Sequence, residues 1–153
     1  MSLSPELKGI PGAQQLHDWF GYWPDFHDAE VIEVNLRRSG ESSFKIHTWQ
    51  MTDRADEKGF YLSTKHVIVE FLLENILGME IEGFNHQNVI SSLGLRLTPN
   101  GYIVDFGPCL RLGGNNRSQD DYFTHYAWKT GLNTLAVKLI YSSCVPLLHL
   151  LPS

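Results

Sequence analysis

Apolar and polar residues alternate over several stretches of this chain. A period of two predicts β-strands, because successive side chains of a strand point to opposite faces. Residues 30–36 and 44–49 both alternate, and a turn containing Gly40 separates them at 39–42. Two strands joined by a short glycine-containing turn predict an antiparallel hairpin. In its first strand, Glu30 would begin an apolar face made of Ile32, Val34 and Leu36.

The same alternation predicts further strands in the rest of the chain. They lie at 65–73, 95–97, 102–106 and 134–142. Pro99-Asn100-Gly101 would join two of them into a second hairpin, because Asn-Gly favours the tight turns that connect antiparallel strands. In the segment 65–73 the inward residues would be Val67, Val69, Phe71 and Leu73. Residues 74–82 are expected to be a strand or irregular, with charged or polar loops at 52–59 and 113–121.

Two segments show helical spacing instead. Residues 12–20 place Leu16, Trp19 and Phe20 on one side, and Gly21 would end this helix. Residues 85–93 begin with a capping asparagine and bring Val89, Ile90 and Leu93 to one helical face.

Sequential strands joined by hairpins, without a β-α-β rhythm, predict the α+β class. We expect an antiparallel β-sheet built from sequential hairpins, with two short helices packed on it. A chain of 153 residues fits one domain, here 1–153, with an apolar tail at 143–153.

Composition limits the classes of partner that the protein is expected to bind. A net charge of -5, with Arg37-Arg38 as the only adjacent basic pair, argues against binding to nucleic acid, which requires a basic stripe. No apolar run approaches the roughly 20 residues that cross a bilayer, so no membrane contact is expected. Two cysteines and no leader peptide favour the reducing cytoplasm.

The most unusual stretch is Trp23-Pro24-Asp25-Phe26-His27-Asp28-Ala29-Glu30, just ahead of the first strand. Polar groups where a loop enters a sheet often serve binding or chemistry. His27, Asp28 and Glu30 would ligate a metal if His47 or His66 completed the set, although the spacing matches no recognised ligand motif. The structural interpretation is favoured, with Asp28 accepting backbone N–H bonds in the turn and Glu30 hydrogen-bonded at the apolar face.

Other chemistry finds little support. No Gly-x-Ser-x-Gly motif is present, Cys109 has no dedicated base nearby, and Gly113-Gly114 does not open a phosphate-binding loop. We therefore expect no catalytic residue, no metal and no cofactor, and a protein that is not an enzyme. The aromatic residues Trp19, Tyr22, Trp23 and Phe26 suit either a binding hot spot or the core, and the core is favoured.

The motif from Trp23 to Val31 resembles the WPSFHDAEV signature of the immunity protein 50 family of bacterial polymorphic-toxin systems, with Asp25 in place of serine. The resemblance covers about residues 20–110. It implies a small cytoplasmic protein that is not an enzyme and that binds and neutralises a cognate toxin domain. The motif residues carried over are Trp23, Phe26, His27, Asp28 and Glu30, and either partner contact or support of the fold would explain them.

Two alternatives stay open beside that function. The first is a small metal-dependent enzyme or ligand-binding domain that uses His27, Asp28 and Glu30. The second is a homo-oligomeric structural protein, such as a homodimer, in which the apolar residues 145–151 pack against a neighbouring copy. If the toxin is a basic nuclease, the acidic segments 53–57 and 120–121 are candidate surfaces for steering it toward the protein.

Overall fold

The computed structural model describes residues 2–82, 84, 88–108, 125–131 and 135–140. These residues form two short helices and eight strands. In chain order they are α1 (Pro5–Lys8), α2 (Ala13–Phe20), β1 (Glu30–Asn35), β2 (Ser42–Ala55), β3 (Tyr61–Leu73), β4 (Ile76–Glu82), β5 (Ile90–Thr98), β6 (Gly101–Pro108), β7 (His125–Thr130) and β8 (Leu135–Ile140). The expected α+β class with antiparallel pairing is confirmed.

The strands divide between two four-stranded sheets rather than one. The first sheet has the order β1-β2-β3-β8 and the second the order β4-β7-β6-β5. Every pair within them is antiparallel. Both predicted hairpins, β1–β2 and β5–β6, are present, and the predicted last strand corresponds to β8.

One apolar core unites the two sheets. The predicted inward residues of β3, Val67, Val69, Phe71 and Leu73, are all buried. The ring of Phe44 on β2 stacks on Phe71 at 4.7 Å and meets Phe106 on β6 edge to face at 5.0 Å. Because Phe106 belongs to the second sheet, these aromatic contacts join the inner faces of both sheets.

The helix predicted at 12–20 is confirmed as α2. Leu16 and Phe20 are buried, and Gly21 ends the helix in the left-handed region. The segment before α2 covers the outer edge of β8, where the Val137 amide donates to the Pro11 carbonyl at 2.8 Å. That bond satisfies an edge amide that no other strand of the first sheet pairs.

The predicted apolar face of β1 is wrong. Val31 is buried, whereas Ile32 and Leu36 are nearly half exposed. The pairing of β1 with β2 shifts register between Val31 and Glu33, so one extra residue is inserted in the strand. Such a bulge reverses the side-chain alternation beyond it, which brings Val31 and Val34 to the core at a spacing of three.

The helix predicted at 85–93 is also wrong. Val89 forms a bridge with Glu30, and Ile90 begins β5. The pairing of β5 with β6 shifts register between Ile90 and Ser92. This second bulge places Ile90 and Leu93 on the same inward face, and a spacing of three in the sequence imitates a helical period. Residues 85–87 lie outside the described part.

Other differences concern loops and strand ends. The loop predicted at 52–59 is partly wrong, because 52–55 continue β2. Residues 76–82 form a strand, whose pairing with β7 shifts register between Ile76 and Gly78, and β7 had no counterpart among the predictions. The loop at 113–121, the acidic pair at 120–121 and the tail at 143–153 lie outside the described residues. In the part that is described, no helix is long and apolar enough to span a membrane.

Candidate functional site

The motif segment joins the two sheets through its backbone. The carbonyl of Asp25 accepts a hydrogen bond from the amide of Leu93 at 3.1 Å, and the carbonyl of Ala29 accepts one from Ile90 at 2.9 Å. The amide of Val31 donates to the carbonyl of Asn88 at 2.9 Å. Residues 25–31 therefore connect β1 of the first sheet to β5 of the second.

The apolar side chains of the motif extend this connection into the core. Phe26 is almost fully buried, and its ring meets that of Phe71 at 5.8 Å. Trp23 is half-buried and packs its edge on Phe26, with ring centroids 6.3 Å apart. The two aromatic residues of the motif thus anchor it to an interior strand of the first sheet.

The other aromatic residues are more accessible. Trp19 is partly exposed and packs on the core, and its indole N–H donates to the carbonyl of Lys65 at 3.2 Å. Tyr22 is 40% exposed, with its ring 6.1 Å from that of Phe20. The expectation that these aromatic residues pack in the core therefore holds for Phe26 and in large part for Trp23. Tyr22 lies at the surface.

The backbone of the motif turns sharply at two residues. Phe26 has φ 59° and Asp28 has φ 60°, which is the left-handed region that non-glycine residues rarely adopt. The carboxylate that accepts a turn N–H is Asp25, whose Oδ1 is 3.0 Å from the amide of His27. The sequence predicted that Asp28 would accept this backbone hydrogen bond, but the Asp28 side chain contacts His27 instead.

His27 and Asp28 form the polar, accessible part of the motif. The Nδ1 atom of His27 lies 3.0 Å from Oδ2 of Asp28, and both side chains are more than half exposed. Such an exposed pair contributes about 0–1 kcal/mol to stability. Its accessibility leaves it available to a partner, while its neighbours Phe26 and Ala29 are buried.

Glu30 lies on the face of the first sheet that points away from the core, which we call the outward face. It pairs directly with His47 on β2, while the next residue, Val31, points inward. The expectation that Glu30 begins an apolar face is therefore wrong, and the reason is the β1 bulge. Its partly exposed position removes the need for a buried hydrogen-bond partner.

The outward face carries a row of alternating charges across all four strands. Glu33 pairs with Lys45, Lys45 with Glu70 and Glu70 with Lys138. The Lys45 ammonium lies 2.7 Å from the Glu33 carboxylate and 4.0 Å from that of Glu70. The hydrogen bond to Glu33 raises the pKa of Lys45 above its ordinary value of 10.5; partial burial opposes this, and the charges of both carboxylates add to it.

Beside this row lies a cluster of rings that contains His47 and His66, which the sequence suggested only as possible metal ligands. His47 Nε2 is 3.2 Å from His66 Nδ1, and Oγ of Ser63 is 2.9 Å from His66 Nε2. The ring of His66 stacks on those of His47 and Trp49, at 5.3 and 5.8 Å. The sequence held one indication of this cluster, because His47 and Trp49 alternate with the inward residues of β2 and therefore share its outward face.

The metal-binding alternative, with His27, Asp28 and Glu30 as ligands, finds no support among the described residues. Among the described residues, no group of three or more histidine, cysteine, aspartate or glutamate side chains is arranged to hold a metal ion. Within the motif, the buried segments separate the exposed His27–Asp28 pair from the outward-facing Glu30. The arrangement combines a buried aromatic anchor with accessible polar and aromatic side chains, which suits recognition of another molecule.

Comparison with known families identifies the chain. A family model described as Immunity protein 50 matches residues 12–107. The chain belongs to the immunity protein 50 family. A comparison with curated proteins found no match, and neither did a comparison with solved structures.

The family match spans the structure from just before α2 almost to the end of β6. It includes the motif, the β1–β2 hairpin and the β5 segment to which the motif is bonded. The strands β7 and β8 lie beyond it. The connection between the two sheets is therefore contained entirely within the part of the chain that matches the family.

Proposed function

We propose that this protein is a non-catalytic immunity protein that binds a cognate bacterial toxin domain in the cytoplasm and neutralises it. The observation that carries the proposal is the family match over residues 12–107. An immunity protein acts on a toxin, so the family supports a toxin partner of some kind. Neutralisation requires a stable complex, and such interfaces bury about 800 Å² on each partner.

Within this function, the motif has mainly an architectural role. Its main chain is committed to hydrogen bonds with 88–93, and Phe26 is committed to the core. The polar side chains of Asp25, His27 and Asp28 are exposed, and those of Trp23 and Glu30 are partly exposed. Trp23 and Phe26 would thus preserve the shape of the binding protein, and the contacts to the toxin would come from other exposed side chains.

Co-expression tests the proposal. A candidate toxin domain is expressed from an inducible promoter in bacteria, with and without the protein. We expect growth to be restored only when the protein is present, and a non-cognate toxin serves as the control. Purified together, the two chains should elute as one complex of defined stoichiometry. Unrestored growth at confirmed expression of both chains would refute the proposal.

A further inference from the structure

Among the described residues, the β2–β3 hairpin extends beyond the other two strands of the first sheet. β1 pairs with β2 only as far as His47, and the last described residue of β8, Ile140, lies opposite Ile68. Beyond those residues β2 and β3 pair only with each other among the described strands, from Gln50 opposite Thr64 onward. We call residues 50–64 the arm. At its base, α2 provides support, because the Lys65 ammonium donates to the Phe20 carbonyl at 3.3 Å.

The arm is an ordered hairpin with a well-formed turn. Oδ1 of Asp56 accepts hydrogen bonds from the amides of Lys58 and Phe60, at 2.8 and 2.9 Å. The Asp56 amide donates to the Phe60 carbonyl, and Oγ1 of Thr52 donates to the carbonyl of Leu62 at 2.7 Å. A two-stranded hairpin is only marginally stable in water. These bonds contribute to holding the arm in its hairpin conformation.

Large apolar side chains are exposed along this arm. Phe60 and Tyr61 are 69% and 66% exposed, the highest values among the large apolar residues that the structure describes. Met51 and Leu62 are 57% and 45% exposed. An aromatic side chain buries about 150–250 Å² when covered, so Phe60 and Tyr61 together offer roughly 200–330 Å². That is about a third of what one partner contributes to a standard interface.

The exposed surface continues from the arm to the ring cluster at its base. By strand alternation, Met51 lies on the same outward face as Trp49, and it pairs with Ser63. Ser63 in turn contacts His66, which stacks on Trp49. Stacked rings lose little conformational entropy on binding, and aromatic residues are enriched at binding hot spots.

Charge identifies the kind of partner. The arm carries the carboxylates of Asp53, Asp56 and Glu57 against the cations of Arg54 and Lys58, and the whole chain has a net charge of -5. Two copies of the chain therefore repel each other at long range, whereas a basic domain is attracted. An acidic arm with an apolar tip complements an apolar recess that is bordered by lysine or arginine side chains.

We infer that the arm is the toxin-docking surface, and that Phe60 and Tyr61 enter an apolar recess of a basic toxin domain. This inference rests on the proposed function. The arm belongs to the part that matches the family, and it leaves the motif free to hold the two sheets together. The mixed charges around the tip form the rim of the interface, and they set the rate of association.

A pair of matched double variants tests the inference. F60S/Y61S replaces the two exposed aromatic side chains of the arm with serine. L77S/M79S replaces two apolar side chains of β4, which are 58% and 45% exposed, in the same way. Binding to the purified toxin domain is measured by calorimetry, after circular dichroism has established that both variants are folded. We expect the arm variant to weaken the dissociation constant at least 30-fold, as for loss of a hot spot of about 2 kcal/mol, and the β4 variant to stay within threefold.

Each outcome has a distinct meaning. If the wild-type chain binds and the arm variant binds equally well, the inference is overturned and the proposed function stands. If the wild-type chain neither binds nor protects, the proposed function fails and the inference falls with it. If light scattering finds a wild-type dimer that F60S/Y61S converts to a monomer, the arm serves a second copy and the inference is wrong.

The charge of the partner is tested separately. D53K/E57K reverses two carboxylates of the arm without altering its apolar tip. We expect the association rate with the toxin domain to fall several-fold at low salt, and the difference from wild type to shrink at about 0.5 M salt, where screening acts within a few ångströms. A faster association would show that the toxin surface is acidic and would overturn the assignment of a basic partner.

Discussion

The ring of Phe26 meets the ring of Phe71 edge to face, with 5.8 Å between their centroids and 60° between their planes. Phe26 belongs to the connection between α2 and β1, whereas Phe71 lies on an interior strand of the first sheet. Phe71 stacks on Phe44, which contacts Phe106 of the second sheet. The most distinctive motif of the sequence is thereby fixed to the centre of the core.

Removing this anchor should destabilise the whole protein. F26A deletes a fully buried ring, and such deletions cost about 3–5 kcal/mol through lost burial and a residual cavity. Urea unfolding should therefore show a lower midpoint with a similar slope. The control is Y22A at the exposed Tyr22, which we expect to cost about 1 kcal/mol or less. Equal losses in the two variants would contradict the anchoring role.

Substitutions at Asp28 should be sensitive to the left-handed backbone conformation of the motif. Its φ of 60° suits glycine and is poorly tolerated by a β-branched residue. Both D28G and D28V lose the exposed contact with His27, so their difference isolates the backbone. We expect D28V to be less stable than D28G by about 1–2 kcal/mol, measured by thermal unfolding. Equal stabilities would mean that the chain does not hold this conformation.

The contribution of Lys45 to the free energy of unfolding should depend on pH above its ordinary pKa. Because its pKa is raised in the folded protein, its stabilising contribution is complete below 10.5 and is lost as the pH rises through the folded pKa. K45M should therefore cost about 0.5–1 kcal/mol at pH 8 and progressively less above pH 10.5, as followed by urea unfolding.

A double-mutant cycle tests the cause of this dependence. In an E33Q background, the hydrogen bond that contributes most to the raised pKa is weakened. The difference between lysine and methionine at position 45 should then shrink at pH 8. An undiminished difference would assign the contribution of Lys45 to packing of its aliphatic stem instead.

Two glycines at the ends of α2 form a matched pair. Gly12 and Gly21 have φ values of 84° and 86°, but only at Gly12 would an added Cβ overlap the Val137 carbonyl oxygen. Around Gly21 there is open space within 4 Å. G21A should cost about 1–2 kcal/mol for the left-handed backbone alone. G12A should cost about 1–3 kcal/mol more, because β8 must move away. Thermal unfolding of both variants measures the difference, and equal losses would contradict the close approach.

The regular parts of the fold were accessible from local sequence pattern. The helix α2, the two hairpins and the inward face of β3 follow from spacing and turn residues alone, because each depends on neighbours in the sequence. The motif was also recognisable as the site of interest from its composition. The resemblance of the chain to the immunity protein 50 family was confirmed by the match over residues 12–107.

Two of the errors, the apolar face of β1 and the helix at 85–93, have a common physical origin in a bulge. In β1 the extra residue lies between Val31 and Glu33, and in β5 it lies between Ile90 and Ser92. A bulge is imposed by pairing with another strand, so the sequence of one strand does not announce it. The bulge in β1 places Glu30 on the outward face. The bulge in β5 brings Ile90 and Leu93 to the same inward face at a spacing of three residues, which resembles a helical period.

The sequence by itself determined where most strands and the helix α2 form, the acidic charge and the family to which the chain belongs. Only the tertiary structure decided which residues of β1 and β5 face the core, that the motif joins two sheets and that, among the described strands, 50–64 extend as an exposed arm. Local periodicity is set by neighbours along the chain. Bulges, sheet membership and the lengths by which strands outreach their partners depend on contacts between residues far apart in sequence.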